Sequence, residues 1–349
     1  MYENNKYINA AVLTKQKKKL SLLNLAPEKN LQKGQLLVKL YSTSICGAQI
    51  GELLGKTGKD KWIPHCLGHE GYGKIIKKHR SVNKVRVNDD VIMHWRKSKG
   101  TNSKPTSYLS KNGVINAGLL TTFQTYAVVS ENRLTKVNRF KKYTKIAPLL
   151  GCAFPTAWGI LNKETNYTKN SQILIFGAGG IGLSLASIAK IQKFKRVILV
   201  DKSDYKKNIT KKMDLEYLNI KNLKKIKKKK FDLVIDTTGN TKNIEKGFDF
   251  VNKDGKLILV GQPKLNSLIR IKNPLRLFNP PQDNIKIISS DGGGFNPETD
   301  YRKLIILFKK NYSYLSKLIT HQIGLNEINY GIDLILKGKT GRVLINFSK

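Results

Sequence analysis

One hexapeptide limits the fold more than any other feature of the chain. Gly177-Ala178-Gly179-Gly180-Ile181-Gly182 stands between the apolar run QILIF and the helical pattern IGLSLASIAKIQK. In such a strand–turn–helix context each glycine has a separate task. Gly177 permits the tight turn, Gly179 lets backbone approach a pyrophosphate without a Cβ clash, and Gly182 allows close helix–strand packing. Free N–H groups at the helix start then face an anion along the favourable dipole. With Gly180 and Ile181 between them, these residues form an expected dinucleotide-binding turn. Asp201 closes RVILVD, 19 residues after Gly182, where an acid would bind a ribose hydroxyl. A carboxylate there repels a 2′-phosphate, so NAD(H) is expected over NADP(H), although Lys202, Lys206 and Lys207 soften that preference.

The surrounding pattern supports the same reading. From Ser171 to Ser290, QILIFG, RVILVD, EYLNI, FDLVIDTTG, GKLILVG and IKIISS are short apolar runs, six expected strands. Continuous apolar character is what a strand buried on both faces requires. The helical stretches IGLSLASIAKIQK and TKNIEKGFDFVNK alternate with them, so an α/β doubly wound parallel sheet is expected. Leu36 to about Val137 reads differently: LLVKLYSTSI, GYGKIIKK, DDVIMHW and QTYAVV suggest the strands of an irregular β domain. The tail from Tyr301 adds the helical stretches YRKLIILFKK and INYGIDLILKG and a last strand, RVLINF.

The 349 residues suit two domains, and 40% hydrophobic residues supply a core, which excludes wholesale disorder. No run of eighteen apolar residues exists, so no membrane span is expected. The N-terminus lacks an apolar run before a small-residue cleavage site, and three cysteines make no disulfide framework. The expectation is a soluble, cytoplasmic protein. Lys and Arg number 64 against 24 Asp and Glu, a net charge of +40. The basic runs lack any nucleic-acid-binding pattern, so solvated faces are expected in place of a nucleic-acid partner.

Cys46 in TSICGAQIGE, His69-Glu70 in LGHEGYG and Cys152 in LLGCAFPTAWG each have an ordinary reading. A lone Cys is commonly a small buried hydrophobe, and a lone His a hydrogen-bonded core residue. Their spacing carries no local zinc signature. Two thiolates and an imidazole are nonetheless the ligand set of one catalytic zinc arrangement, which leaves a position for substrate.

Taken in order, ICGAQIGE, LGHEGYG, FQTYAVV, GCAFPTAWG, GAGGIG and FDLVIDTTG resemble the zinc-dependent medium-chain alcohol dehydrogenase/reductase superfamily over most of the chain. That resemblance implies a Rossmann domain (153–289) inserted in a GroES-like β domain (1–152) that the tail (290–349) completes. It implies Cys46, His69 and Cys152 as catalytic zinc ligands, with Glu70 beside the metal and able to become a ligand. Thr156 and Val260–Gln262, including Gly261, fall at nicotinamide contacts. Asp201 and Lys206 fall at the adenosine ribose, Arg342 at the pyrophosphate, and Trp95 in the substrate pocket. Relatives are dimers or tetramers, so a homo-oligomer is implied.

The departures matter as well. Ala48 stands where the family often has a proton-relaying Ser or Thr, and Gln49 where an Asp is usual. Proton transfer would then use water, Glu70, His94 or a substrate group. The lobe Arg96–Asn116 lacks the four cysteines of a structural zinc, so one zinc is expected. Cys66 reads as packing. The expected reaction is hydride transfer between NAD(H) and an alcohol or carbonyl compound. His94, Trp95 and the basic residues after them would suit a polyol, sugar or sugar derivative, unless Trp95 simply packs under the lobe. A zinc-free enoyl or quinone reductase and a polyanion-binding protein with a vestigial cofactor domain are the alternatives.

Overall fold

The computed structural model describes residues 7–28, 30–165 and 167–347. Six parallel strands form one sheet in the spatial order Glu216–Asn219, Arg196–Asp201, Gln172–Phe176, Phe231–Asp236, Val251–Leu259, Lys286–Ser289. This is the expected doubly wound sheet. Its central strand carries Ile173, Leu174, Ile175 and Phe176, all at 0% exposure, because helices or their connections cover both faces. The strand order reverses beside Gln172–Phe176, and in such sheets the crevice past the strand ends at that reversal takes the ligand. Gly177, at φ +99°, turns the chain there into the helix Gly180–Ile191. A Cβ on Gly182 would lie 1.8 Å from the Gly177 carbonyl oxygen, so this helix seats on the turn only with glycine.

The other part is built from antiparallel pairs. A small closed barrel joins Ile8–Leu13, Ser21–Pro27, Thr106–Ser110, Gly113–Gly118 and His65–Cys66. A seven-stranded sheet centres on the long strand Gln35–Ile45, which pairs with Glu70–Lys78, Tyr126–Ser130 and, from the far end of the chain, Arg342–Asn346. The tail thus completes the first β unit. Its apolar residues supply the reason: Val343, Leu344 and Ile345 are fully buried. The stretch YRKLIILFKK lies in the helix Pro297–Lys310, capped by Asn296, whose side chain accepts the Glu298 N–H. This helix packs with the core around Phe154 and Leu150, and the Tyr301 hydroxyl donates to the Leu150 carbonyl at 2.7 Å. Among the described residues no helix is long and apolar enough to cross a membrane.

Candidate active site

Cys46, His69 and Cys152 come from three separate elements and meet, their ligand atoms all within 4.8 Å of one another. Cys46 follows the strand Gln35–Ile45 at the N-cap position of the helix Gly47–Leu54, which Gly55 stops in a left-handed conformation. His69 precedes the strand Glu70–Lys78, and Cys152 precedes the helix Ala153–Gly159. Close backbone packing brings Cys152 in. A Cβ on Gly151 would lie 2.3 Å from the Met93 carbonyl oxygen and 2.8 Å from the Glu70 Cα.

The electrostatics of the cluster follow from one shared proton. The Cys152 thiol donates to Cys46, which holds Cys46 well below the ordinary thiol range and Cys152 well above it. Burial raises both, while His69 and Arg342 favour the Cys46 thiolate. The Trp95 indole and the Thr156 hydroxyl also hydrogen-bond the Cys152 sulfur. Cys66 lies outside the cluster, and burial alone pushes its thiol up to about 12. It packs among Ile8, Val12 and Ile115.

The donor set fits a zinc ion on two grounds. Soft sulfur with imidazole suits zinc, and among the described residues the buried His69 Nε2 has no nitrogen or oxygen partner and faces only the Cys46 sulfur. Gln49 holds the other ring nitrogen, its amide nitrogen 2.5 Å from His69 Nδ1, while Gln49 Oε1 is buried without a partner. An amide can present either end. With its carbonyl oxygen on Nδ1–H it fixes the tautomer whose Nε2 lone pair is free for metal.

Glu70 stands beside the cluster without joining the three-residue set. Its carboxylate accepts from Arg342, whose guanidinium also donates to Ser44 Oγ at 2.7 Å and hydrogen-bonds Cys46. Glu70 Oε2 has no hydrogen-bond partner among the described residues. Arg342 Nη1 lies 2.5 Å from where a Gly180 Cβ would be, so one buried guanidinium bridges the cluster and the glycine turn.

The turn itself leaves room. A Cβ at Gly179 would meet nothing within 4 Å, and no side chain caps the helix it begins. Asp201 ends its strand next to the turn, accepting the Ala178 N–H at 2.7 Å and the Ser203 N–H at 2.9 Å. The Val260 and Gly261 N–H groups donate to the Asp236 carbonyl at 2.9 and 3.0 Å. Lys206 is buried and donates to the Thr340 carbonyl, and burial lowers its pKa. Gly177, Asp201, Asp236 and Val260 lie at the ends of their parallel strands, while Lys206 sits in the helix Asp204–Lys212.

His94 requires a correction. It is 1% exposed, its Nδ1 lies 2.8 Å from the Arg96 carbonyl, and its Nε2 lies 3.0 Å from Thr135 Oγ1. Both nitrogens are in use, and burial pushes its pKa down to about 4. It is a hydrogen-bonded core histidine with no free atom for substrate or for a proton relay. Arg96, expected as a cationic donor, stacks on Trp95 at 5.0 Å and donates to the Asp291 carbonyl at 2.5 Å. Trp95 alone of this group reaches the cluster.

Sequence reasoning missed the room beside the cluster. A cavity of about 650 Å³ is lined by His69 and Gln49 and, further out, by Glu52, Asp60, His65 and Trp62. Glu52 was detectable: it lies three residues after Gln49, hence on the same face of a helix beginning at Gly47.

Residues 32–139 match the alcohol dehydrogenase GroES-like domain family and residues 180–310 the zinc-binding dehydrogenase family. Alcohol dehydrogenase 1 of Petunia hybrida is 26% identical over 351 residues, covering 90% of each chain. S-(hydroxymethyl)glutathione dehydrogenase of Synechocystis is 24% identical over 355 residues, covering 90% of this chain and 93% of that protein. The solved structure of benzyl alcohol dehydrogenase from Acinetobacter calcoaceticus superposes with a TM-score of 0.85 at 23% identity. That likeness covers 99% of this chain and 100% of the other. With both halves matched and the expected motifs meeting in space, the chain belongs to the zinc-dependent medium-chain alcohol dehydrogenase/reductase superfamily.

Proposed function

We propose that this protein is a zinc-dependent dehydrogenase or reductase that uses NAD(H) on a small hydroxylated alcohol or the matching carbonyl compound. The buried His69 Nε2, which faces two cysteine sulfurs and no nitrogen or oxygen of the described residues, carries this reading, because sulfur is a weak hydrogen-bonding group and a metal ion would satisfy all three atoms. Cys46, His69 and Cys152 would hold one zinc, with Glu70 adjacent. Gly177, Gly179, Gly180, Ile181, Gly182, Asp201, Lys206 and Arg342 would hold the dinucleotide, with Thr156, Val260 and Gly261 at its nicotinamide end. A zinc ion supplies Lewis acidity at such a centre, and a nicotinamide supplies a hydride acceptor or donor.

This chain's own residues then divide the remaining work. Gln49 fixes the His69 ring, while Trp95 and Thr156 orient the Cys152 sulfur. Arg342 neutralises Glu70 and brings positive charge to the glycine turn. Ala48 has no hydroxyl, and His94 has no free nitrogen. A substrate proton therefore leaves through water or a group of the cavity. The Asp201 carboxylate favours NAD(H), since a 2′-phosphate would meet like charge there.

The test is zinc analysis of the purified protein, followed by oxidation assays on simple alcohols and polyols with NAD and with NADP. Stoichiometric zinc and chelator-sensitive activity with NAD are expected. Protein that retains dinucleotide yet holds no zinc would overturn the metal assignment and favour a zinc-free reductase.

Self-association is part of this reading. The strand Lys286–Ser289 ends the parallel sheet with no described strand on its outer side. Leu268, Leu275 and Phe278 in the preceding segment are exposed. An open edge beside apolar side chains favours a second copy. Light scattering after size exclusion should give a dimer or larger, and Ile287→Lys should shift it toward monomer.

A further inference from the structure

The cavity beside His69 contains one acid with no partner among the described residues. The helix Gly47–Leu54 places Gln49 and Glu52 on its wall, three residues apart. Gln49 is engaged with His69. Asp60 is doubly engaged: its Oδ2 lies 2.7 Å from His65 Nε2, and its Oδ1 accepts the Trp62 N–H at 2.8 Å. Glu52 is different. Among the described residues its carboxylate accepts no hydrogen bond and forms no ion pair, in a chain with 64 basic residues against 24 acidic ones.

The groups facing Glu52 are known. His69 and His65 draw it toward the charged form, while Asp60 and Cys46 oppose that. Burial outweighs the histidines and raises its carboxyl. Glu52 is half-buried, so a carboxyl that no described protein group engages is left to solvent or to a donor carried by a ligand. Lys59 and Lys61 on the same lining offset the two acids, and the chain as a whole carries +40. A cationic ligand therefore gains nothing from approach. A neutral molecule bearing hydroxyl donors is the better match.

We propose that Glu52 anchors the substrate in this cavity, accepting a hydrogen bond from a second hydroxyl of a diol or larger polyol whose reacting carbinol lies on the His69 side. This rests on the dehydrogenase reading above and specifies its substrate class. Glu52 is a specificity residue here, with no proton transfer assigned to it. A carboxyl oxygen can accept such a hydrogen bond in either protonation state. A site built around one rejects an analogue that lacks the donor.

The zinc-loaded protein, Glu52→Gln and Glu52→Leu should be compared on 1-propanol, 1,2-propanediol and glycerol with NAD, with zinc content and melting curves as controls for folding. Wild type should prefer the diol and glycerol over 1-propanol by about tenfold or more in kcat/KM, mainly through KM. The Leu variant should lose that preference, and the Gln variant should keep part of it. A preference that survives Glu52→Leu, no preference in wild type, or stronger turnover of 1-amino-2-propanol than of 1,2-propanediol would overturn the proposal. If wild type oxidises none of these, the dehydrogenase reading fails, and calorimetric binding of glycerol decides Glu52 separately. Binding weakened about tenfold or more by Glu52→Leu supports the anchor, and binding unchanged by it removes the anchor.

Discussion

Arg342 donates to the carboxylate of Glu70 across 272 residues of sequence, and the pair is almost wholly buried. The arginine comes from the last strand and the glutamate from the residue after His69. Their contact ties the last strand to the cluster of Cys46, His69 and Cys152, and the same guanidinium reaches the glycine turn.

Removing one member of a buried ion pair leaves the other charge uncompensated, at a cost of about 3–5 kcal/mol. Arg342→Met should therefore destabilise the protein by about that amount in urea unfolding and also weaken dinucleotide binding. Arg342→Lys should rescue neither fully, because one ammonium cannot serve Glu70, Ser44 and Cys46 together.

Two glycines of the same turn should respond in opposite ways. Gly182→Ala forces a methyl against the Gly177 carbonyl and should cost about 1–3 kcal/mol of stability or more. Gly179→Ala meets open space, so stability should change by under about 1 kcal/mol. Its dinucleotide affinity should nonetheless fall about tenfold or more, because the new methyl occupies the pyrophosphate's approach. Melting curves and NADH fluorescence titration separate the two effects.

Asp201 governs cofactor choice in the proposed function. Wild type should bind NADH more tightly than NADPH, and Asp201→Ser should reduce that discrimination about tenfold, or about 1.4 kcal/mol. The substitution also weakens the acceptor for the Ala178 and Ser203 N–H groups, so some loss of NADH affinity should accompany it. Unchanged discrimination in titrations of the Ser variant would remove Asp201 from this role.

His94 makes stability depend on pH with a definite sign. Its folded pKa of about 4 lies below the unfolded value of about 6.5, so the unfolded chain binds the extra proton first. The contribution is fully present above about pH 6.5 and is lost as the pH falls toward 4. That loss amounts to about 3 kcal/mol. His94→Gln should be less stable than wild type at pH 7 and should show a shallower decline between pH 6.5 and 4.5 in parallel urea titrations.

The six parallel strands were legible in advance because a strand buried on both faces must be apolar throughout, and QILIF or FDLVID can be little else. The glycine turn was legible for a similar reason: Gly177, Gly179 and Gly182 each answer a local steric demand. Membership of Cys46, His69 and Cys152 in one site came from resemblance. Single-residue reading left each as an ordinary buried side chain, since residues this far apart carry no spacing signal.

Tertiary structure decided the rest. His94 and Trp95 are adjacent, yet the first is consumed by Thr135 and Arg96 while the second reaches Cys152. His94 is the last residue of the strand Asp90–His94 and Trp95 lies in the bend that follows, and only the assembled structure determines what each side chain meets. The same holds for Glu52. Its helical face could be deduced, but its lack of a partner depends on every element around the cavity. Sequence determined the local backbone here because sterics act between near neighbours. The choice of partners for each polar side chain was left to long-range packing.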